Sequence, residues 1–170
     1  MAAHPMQNRW HSNMNPDPAF EIRCADASDL ASVMIIMADA FDPKFGEAWT
    51  AAQCESMLML PGSALLLAHV DECPAAFALM RSFAGEAELL LIATRPAYQR
   101  RDIGKALIKH LLIDCLASQI NLIHLEVRAD NPALSFYIRT GFKQVGIRKN
   151  YYRGALGRQT DAITLNMRIA

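Results

Sequence analysis

This sequence has no excess of positive or of negative charge. Its 170 residues include 17 lysines and arginines and 17 aspartates and glutamates. A balanced chain has no broad positive field that would attract nucleic acid or an anionic membrane. We therefore expect no nucleic-acid or membrane partner, and any anion must be bound by a local cluster of residues.

Long hydrophobic runs are also missing. The longest apolar stretches, such as residues 64–70 and 89–93, are far below the roughly 20 residues needed to cross a bilayer. Residues 1–19 contain proline, asparagine, histidine and aspartate, without the apolar segment of a secretory signal. The sequence predicts a disordered extension or start-site artefact over residues 1–19, one domain over residues 20–170, and a cytoplasmic location.

Cysteine is scarce and widely spaced. Cys24, Cys54, Cys73 and Cys115 show no spacing typical of metal ligands, and each lies in an apolar or helical stretch. We expect four free, buried thiols, with neither a disulfide nor a metal role.

Hydrophobic residues, 52% of the chain, follow the periods of short strands and amphipathic helices. Strands are predicted at residues 20–24, 64–70, 74–82, 86–94, 123–128, 142–149 and 160–168. Helices are predicted at about residues 30–41, 48–59, 101–118 and 133–140, and a loop at residues 151–159. The three strands between residues 64 and 94 have the pattern of an antiparallel meander.

Basic and small residues crowd the opening of the helix at residues 101–118. The segment comprises Gln99, Arg100, Arg101, Asp102, Ile103, Gly104, Lys105 and Ala106. Free backbone N–H groups and the positive end of a helix dipole favour phosphate, small residues permit close approach, and arginines add charge. The pattern indicates a phosphate site, although basic residues at a helix start are more often solvated surface.

Two later segments place a carboxylate beside this turn. His124, Glu126 and Arg128 alternate with apolar residues, so their side chains should share one face of a strand. A short helix follows and is closed by Gly141, a residue typical of helix C-termini.

Three segments carry a family resemblance. YQRRDIGKALI, LEVRADNPALSFY and RTGF, at residues 98–108, 125–137 and 139–142, together resemble the Gcn5-related N-acetyltransferase (GNAT) superfamily. LEVRADN, with IRKNYY at residues 147–152 and DAITLNM at residues 161–167, is similar to the RimI-type ribosomal-protein-alanine N-acetyltransferases. The resemblance implies the GNAT fold, an α/β (α+β) domain with a mixed, mostly antiparallel central sheet and helices on both faces.

The resemblance also implies a reaction and a site. Members of the superfamily transfer an acetyl group from acetyl-coenzyme A (acetyl-CoA) to an amine, without a metal. Glu126 would be the catalytic base, and Tyr137 the acid that protonates the leaving thiolate. The residues implied to contact acetyl-CoA are Ile92, Ala93 and Thr94 through their backbone, the segment from Gln99 to Ala106, Asn131 and Tyr137.

The chemistry of acetyl transfer fits these residue types. A primary amine is mostly protonated at neutral pH, and a terminal α-amine, with a pKa near roughly 8, is easier to deprotonate than a lysine. Glu126 lies mid-strand on the polar face and suits the role of base. The alternatives are an ion pair of Glu126 with Arg128 or Arg139, and a core position for Tyr137.

Three features depart from the family pattern. Asp102 stands where the family loop commonly has glycine, and a carboxylate there opposes a pyrophosphate unless it turns away. The span from Asn131 to Tyr137 is one residue shorter than in RimI-type proteins, which rotates Tyr137 by about 100° unless the helix starts earlier. The loop at residues 157–161 is one residue longer.

Two further groups are candidates for the site. Tyr151 and Tyr152, with basic neighbours, have the composition of a groove for an incoming peptide end; ordinary surface is the alternative. His124 shares the face of Glu126 and is a candidate to tune it, against the alternative of a hydrogen-bonded structural histidine.

The sequence therefore predicts an N-acetyltransferase, monomeric or weakly dimeric, that moves acetyl directly from acetyl-CoA to a protein N-terminal α-amine such as that of a ribosomal protein. Two alternatives stay open. The first is a GNAT enzyme that acetylates a small-molecule amine or a lysine side chain. The second is a non-catalytic module that senses coenzyme A or binds a partner.

Overall fold

The computed structural model describes residues 20–153 and 159–169. The extension predicted over residues 1–19 lies outside the described residues. The strands are β1 (Glu21–Ala25), β2 (Ser63–Val70), β3 (Cys73–Phe83), β4 (Glu86–Thr94), β5 (Leu122–Arg128), β6 (Lys143–Arg153) and β7 (Gln159–Arg168). The helices are α1 (Leu30–Ala40), α2 (Ala51–Leu58), α3 (Ile103–Ala117) and α4 (Ala133–Arg139). None of the helices within the described ranges is long and apolar enough to span a membrane.

The seven strands form one sheet in the order β1-β2-β3-β4-β5-β7-β6. β4 and β5 run parallel, and the other neighbouring pairs are antiparallel. α1 and α2 pack against one face of the sheet, and α3 packs against the other. The predicted mixed, mostly antiparallel sheet with helices on both faces is confirmed.

Both faces of the sheet are buried because the central strands carry apolar residues on both sides. In β2, Leu65 and Leu67 belong to the core under α1 and α2, whereas Leu66 and Ala68 belong to the core under α3. Successive strand residues point to opposite faces, so an unbroken apolar run fills two cores at once.

The end of β6 differs from the sequence prediction. A loop was expected from residue 151, but β6 continues to Arg153, and Tyr152 lies opposite Thr160 of β7. Cross-strand pairing with β7 therefore extends the strand beyond Lys149. The middle of the predicted loop, residues 154–158, lies outside the described part of the chain.

Two helices begin later than predicted, for local reasons. α2 begins at Ala51 because Thr50 and Gln53 form a capping box, in which each side chain binds the other's backbone N–H. α3 begins at Ile103 because Asp102 has a left-handed backbone conformation, with φ of 57°.

The four cysteines are free, as predicted. Cys54 and Cys115 are buried, but the prediction of burial is wrong for Cys24 and Cys73, which are exposed. Cys24 lies on β1, an edge strand of the sheet. Cys73 begins β3 directly after the turn from β2.

β4 and β5 pair over a short distance and then diverge. Their pairing runs from Glu86 opposite Leu122 to Glu88 opposite His124, and stops there. Just beyond this point a β-bulge leaves Leu90 of β4 without a partner on β3. The C-terminal halves of β4 and β5 therefore border an open gap, and the backbone groups of β4 on that side have no strand partner.

α3 also buries a carboxyl group near its C-terminal end. Asp114 is 7% exposed. Burial raises the pKa of Asp114 to about 6, and His110, one turn earlier, opposes this rise. The folded state therefore holds the Asp114 proton more tightly than the unfolded chain does.

We predict that Asp114→Asn stabilises the protein at pH 7.5 and has little effect at pH 4. Stability of the natural chain is lost as the pH rises from the unfolded pKa of 3.8 to the folded value of about 6. This difference of about two pKa units corresponds to about 3 kcal/mol. Urea unfolding at both pH values measures the effect; a less stable variant at pH 7.5 would contradict the prediction.

Candidate active site

A cleft of about 1260 Å³ opens where β4 and β5 diverge. Its walls come from β4, β5, the start of α3, α4, the segment between α1 and α2, and Tyr152 of β6. Most of the predicted site residues line this cleft: Ile92, Ala93, Thr94, Gln99, Arg100, Asp102, Ile103, Gly104, Lys105, Glu126, Asn131 and Tyr137. The fold therefore brings the predicted phosphate turn and the predicted carboxylate into one cavity.

Two predicted cofactor residues, Arg101 and Ala106, do not line the cleft. The guanidinium carbon of Arg101 lies 5.6 Å from the ring centroid of Tyr98, a cation–π contact. The N–H of Ala106 donates to the carbonyl oxygen of Asp102 at 2.9 Å, within the first turn of α3. Both residues stabilise the turn from outside the cavity.

The turn between β4 and α3 presents its backbone to the cleft. The Gln99 side chain donates from Nε2 to the carbonyl oxygen of Thr94 at 3.2 Å and braces the turn. A helix leaves its first N–H groups without helical acceptors, and these groups attract anions. A Cβ on Gly104 would lie 3.3 Å from Cζ of Phe136, so glycine keeps this wall open.

Asp102 has a backbone conformation that glycine adopts without cost. Its φ of 57° lies in the left-handed region, which disfavours most side chains and which aspartate tolerates better than most. The carboxylate caps no N–H of α3 and is exposed. Its negative charge therefore stands beside the anion-attracting turn.

Glu126 lies on β5 opposite Thr164 of β7. Its Oε1 accepts a hydrogen bond from the Thr164 hydroxyl at 3.4 Å and pairs with Nη2 of Arg148 at 3.0 Å. Among the described residues, neither Arg128 nor Arg139, the partners considered from sequence, forms an ion pair with Glu126. The Arg148 side chain is 56% exposed, so the ion pair is open to solvent.

Tyr137 lies on α4 and is buried, with its ring against Phe136 and Phe142 at centroid distances of 5.5 and 5.9 Å. The shortened span from Asn131 does not turn it away, because Tyr137 lines the cleft. Burial raises the pKa of Tyr137 well above its usual value, and the nearby Glu47 carboxylate adds to the rise. Its hydroxyl therefore stays protonated at neutral pH.

The side chain of Arg128 connects several walls of the cleft. It is 6% exposed and forms two hydrogen bonds with Asp130, at 3.0 and 3.1 Å, and one with Thr160 at 3.3 Å. Its guanidinium carbon lies 5.3 Å from the ring centroid of Phe45 and 5.4 Å from that of Tyr152. A buried guanidinium with these partners holds the segment between α1 and α2 against β5, β6 and β7.

Glu47 is a cleft residue that the sequence interpretation missed. It lies between α1 and α2, and Oε2 accepts a hydrogen bond from Nδ2 of Asn131 at 3.3 Å. Burial raises the pKa of Glu47, and both Arg128 and the Asn131 hydrogen bond oppose this rise. No periodic pattern or motif marks Glu47, because it lies in a loop and meets its partners only after folding.

The remaining candidates lie outside or at the edge of the cleft. Tyr152 lines it, whereas Tyr151 is exposed and stacks with Arg148 at 4.6 Å. His124 does not line it. Within the described residues, no group of three or more histidine, cysteine, aspartate or glutamate side chains is placed to hold a metal ion.

Comparison with known proteins identifies the family. The acetyltransferase (GNAT) domain family matches residues 28–154. Ribosomal protein bS18-alanine N-acetyltransferase of Escherichia coli strain K12 is 40% identical over 97 residues, which are 56% of this chain and 65% of that protein. The match thus spans just under two thirds of the relative's length.

Solved structures show the same fold. The crystal structure of ribosomal-protein-S18-alanine N-acetyltransferase from Escherichia coli aligns with a TM-score of 0.78 at 30% identity, covering 89% of this chain and 94% of that one. PaiA N-acetyltransferase from Thermoplasma acidophilum, solved with coenzyme A, aligns with a TM-score of 0.70 at 18% identity, covering 88% and 98%. With its cleft at the divergence of β4 and β5 and its match to the domain over residues 28–154, this chain belongs to the GNAT acetyltransferase family.

Proposed function

We propose that this protein transfers the acetyl group of acetyl-CoA directly to the N-terminal α-amine of a protein, with the N-terminal alanine of a ribosomal protein as the favoured acceptor. The observation that carries the proposal is the single cleft that contains an anion-attracting turn, the open edge of β4, Glu126 and Tyr137. We further propose a cytoplasmic enzyme that acts as a monomer or weak dimer.

The β4 and α3 side of the cleft fits acetyl-CoA. The pyrophosphate would bind at the turn from Gln99 to Lys105, where the first N–H groups of α3 lack helical acceptors and Gly104 permits close approach. The pantetheine arm is an extended, amide-containing chain. Along Ile92, Ala93 and Thr94, the edge of β4 that faces the gap has no strand partner and offers it hydrogen bonds, although the Thr94 carbonyl oxygen already accepts one from Gln99.

The catalytic steps follow from the two side chains in the gap. Glu126 accepts a proton from the acceptor ammonium, directly or through one water, and frees the nitrogen lone pair. The nitrogen attacks the thioester carbonyl carbon, and β4 backbone N–H groups stabilise the resulting oxyanion. As the C–S bond breaks, Tyr137 donates its proton to the departing sulfur, and the nitrogen, positively charged after attack, releases its surplus proton to solvent. Tyr137 is then reprotonated from solvent, and Glu126 releases its proton to solvent.

Arg148 influences when Glu126 acts as the base. In its ion pair, the guanidinium neutralises the Glu126 carboxylate at 3.0 Å. An acceptor ammonium carries the same charge and can replace this exposed guanidinium at little electrostatic cost. Glu126 therefore becomes available when an acceptor arrives.

Acceptor choice is supported by the relatives. The Escherichia coli protein at 40% identity and the Escherichia coli structure at 30% identity are both named for acetylation of the alanine of ribosomal protein S18. A terminal α-amine also demands less of its base than a lysine does. Glu126, whose side chain is 25% exposed, is partly open to solvent and suits the easier deprotonation.

The decisive experiment is transfer of labelled acetyl from acetyl-CoA to an alanine-starting peptide of the ribosomal type. We expect turnover by the natural chain and a fall in kcat of about 100-fold or more in Glu126→Gln, with coenzyme A affinity unchanged, because the amide cannot accept the proton. Glu86→Gln is the matched control, because Glu86 is exposed and lies at the start of β4, outside the cleft. This variant should behave like the natural chain.

Other outcomes would redirect the proposal. Turnover only with small amines or lysine-containing peptides would mean that the acceptor is a small amine or a lysine side chain and not a protein N-terminus. Coenzyme A binding without turnover on any amine would point to a sensing module instead of an enzyme.

We predict that Tyr137→Phe lowers kcat by about 100-fold and leaves coenzyme A affinity within about twofold, because the ring packing is kept and only the proton donor is lost. Steady-state kinetics and calorimetric titration measure the two effects. Tyr151→Phe, which removes an exposed hydroxyl outside the cleft, is the control. An unchanged kcat in Tyr137→Phe would assign Tyr137 to packing alone.

We predict that Asp102→Asn and Asp102→Gly both tighten coenzyme A binding, by about threefold to tenfold, because a negative charge leaves the phosphate turn. Asparagine tolerates the left-handed backbone as aspartate does, so Asp102→Asn tests the loss of charge alone. Asp102→Gly removes the charge and also places at this position the residue that adopts the left-handed conformation without cost. Calorimetric titrations at low and high salt should show a larger gain at low salt.

Asp71→Asn is the matched control for this prediction. Asp71 is also an exposed aspartate with positive φ, 47°, but it lies in the turn between β2 and β3, away from the cleft. Unchanged affinity in Asp102→Asn would show that the Asp102 carboxylate turns away from the phosphates.

A further inference from the structure

Among the carboxylates that line the cleft, Glu47 shares a neighbour with Glu126. Glu47 enters from the segment between α1 and α2, and Glu126 from β5. Tyr152 lies close enough to both that each carboxylate contributes to a raised pKa of its phenol, after burial, which is the largest cause. The two carboxylates and Tyr152 therefore belong to the same part of the cavity.

Glu47 is held firmly but is only partly neutralised. Oε2 accepts the hydrogen bond from Asn131. Oε1 lies 4.0 Å from Nε of Arg128, beyond hydrogen-bond distance, and among the side chains that the structure describes no donor reaches it. Arg128 cannot move closer without leaving Asp130, to which the same Nε donates at 3.0 Å.

The environment of Glu47 favours a cation with hydrogen-bond donors. The Glu47 side chain is 22% exposed, so its charge has lost much of its hydration. An α-ammonium brings a positive charge and three N–H donors. A donor from the acceptor would complete the hydrogen bonding of Oε1 and offset the cost of desolvation.

We propose that Glu47 is the anchor for the acceptor's α-ammonium, which binds through a hydrogen bond and ion pair to Oε1 before Glu126 removes a proton. This inference rests on the proposed function and assigns the two carboxylates different roles. Loss of the anchor should weaken acceptor binding, whereas loss of the base should lower kcat.

The anchor also gives Arg128 and Asn131 a role in the site. Asn131 uses its Oδ1 to accept the N–H of Ala133 at 2.8 Å and cap α4, while its Nδ2 holds Glu47. Arg128 holds Phe45 of the same segment by its cation–π contact. Both are positioning residues, because they act on the acceptor through Glu47.

The test compares the binding of two peptides to the natural chain and to Glu47→Gln. One peptide starts with alanine, and the other carries a propionyl group in place of that alanine, which is the same group without the amine. Binding of each to the full chain in the presence of coenzyme A, which cannot react, is measured by calorimetry. We expect Glu47→Gln to weaken binding of the amine peptide about tenfold or more, and binding of the propionyl peptide less than about twofold.

Controls separate the anchor from a purely structural role. Glu55→Gln, exposed on α2, should bind both peptides like the natural chain, and thermal melting should show Glu47→Gln to be folded. Equal weakening for both peptides would mean that Glu47 only shapes the loop and would overturn the inference. A lower kcat with unchanged peptide affinity would overturn it too, because Glu47 would then be the base.

Failure of the proposed function has a different signature. If the natural chain neither binds nor acetylates the alanine-starting peptide, the proposal of a protein N-terminal acceptor is wrong, and the inference about Glu47 is overturned with it. If the natural chain acetylates the peptide and Glu47→Gln behaves identically in every assay, the function stands and only the anchor is overturned.

Discussion

The divergence of β4 and β5 is the constraint on which the site depends. Two parallel strands that continued to pair beyond Glu88 and His124 would satisfy their own backbone groups and leave no cavity. The bulge at Leu90 turns β4 away at this point, and the sheet remains stable because β4 keeps its pairing with β3. The hydrogen bonds that β4 lacks become available to an extended ligand.

Arg128 stabilises the side of the gap that β4 does not build. The hydrogen bonds of its guanidinium go to Asp130, two residues along the chain, and to Thr160 on the neighbouring strand β7. The aromatic rings of Phe45 and Tyr152 connect it to the segment before α2 and to β6. Because the buried guanidinium cannot lose its charge, these partners stay organised across the whole physiological pH range.

The sequence predicted those parts of the fold and site whose determinants lie within a few residues. Strand alternation, the turn before α3 and the glycine that closes α4 are local patterns, and the order of strands and helices along the chain followed from them. The mixed sheet with helices on both faces came from the family resemblance. Contacts between distant segments were not predictable. Glu47 meets Asn131 across 84 positions, and Arg148 reaches Glu126 only because β7 and then β6 follow β5 in the sheet. The exposure of Cys24 likewise depends on the edge position of β1.

Glu47 and Glu126, both in the cleft, differ in how their charge is balanced. Arg148, largely exposed, can leave Glu126, whereas Arg128 is fixed by Asp130 and stays near Glu47. A cation that enters the cleft can therefore exchange with a partner at Glu126 but can only add to the existing contacts at Glu47. We propose that these unequal environments correspond to unequal roles, in which Glu126 accepts the proton of the acceptor and Glu47 holds the acceptor in place.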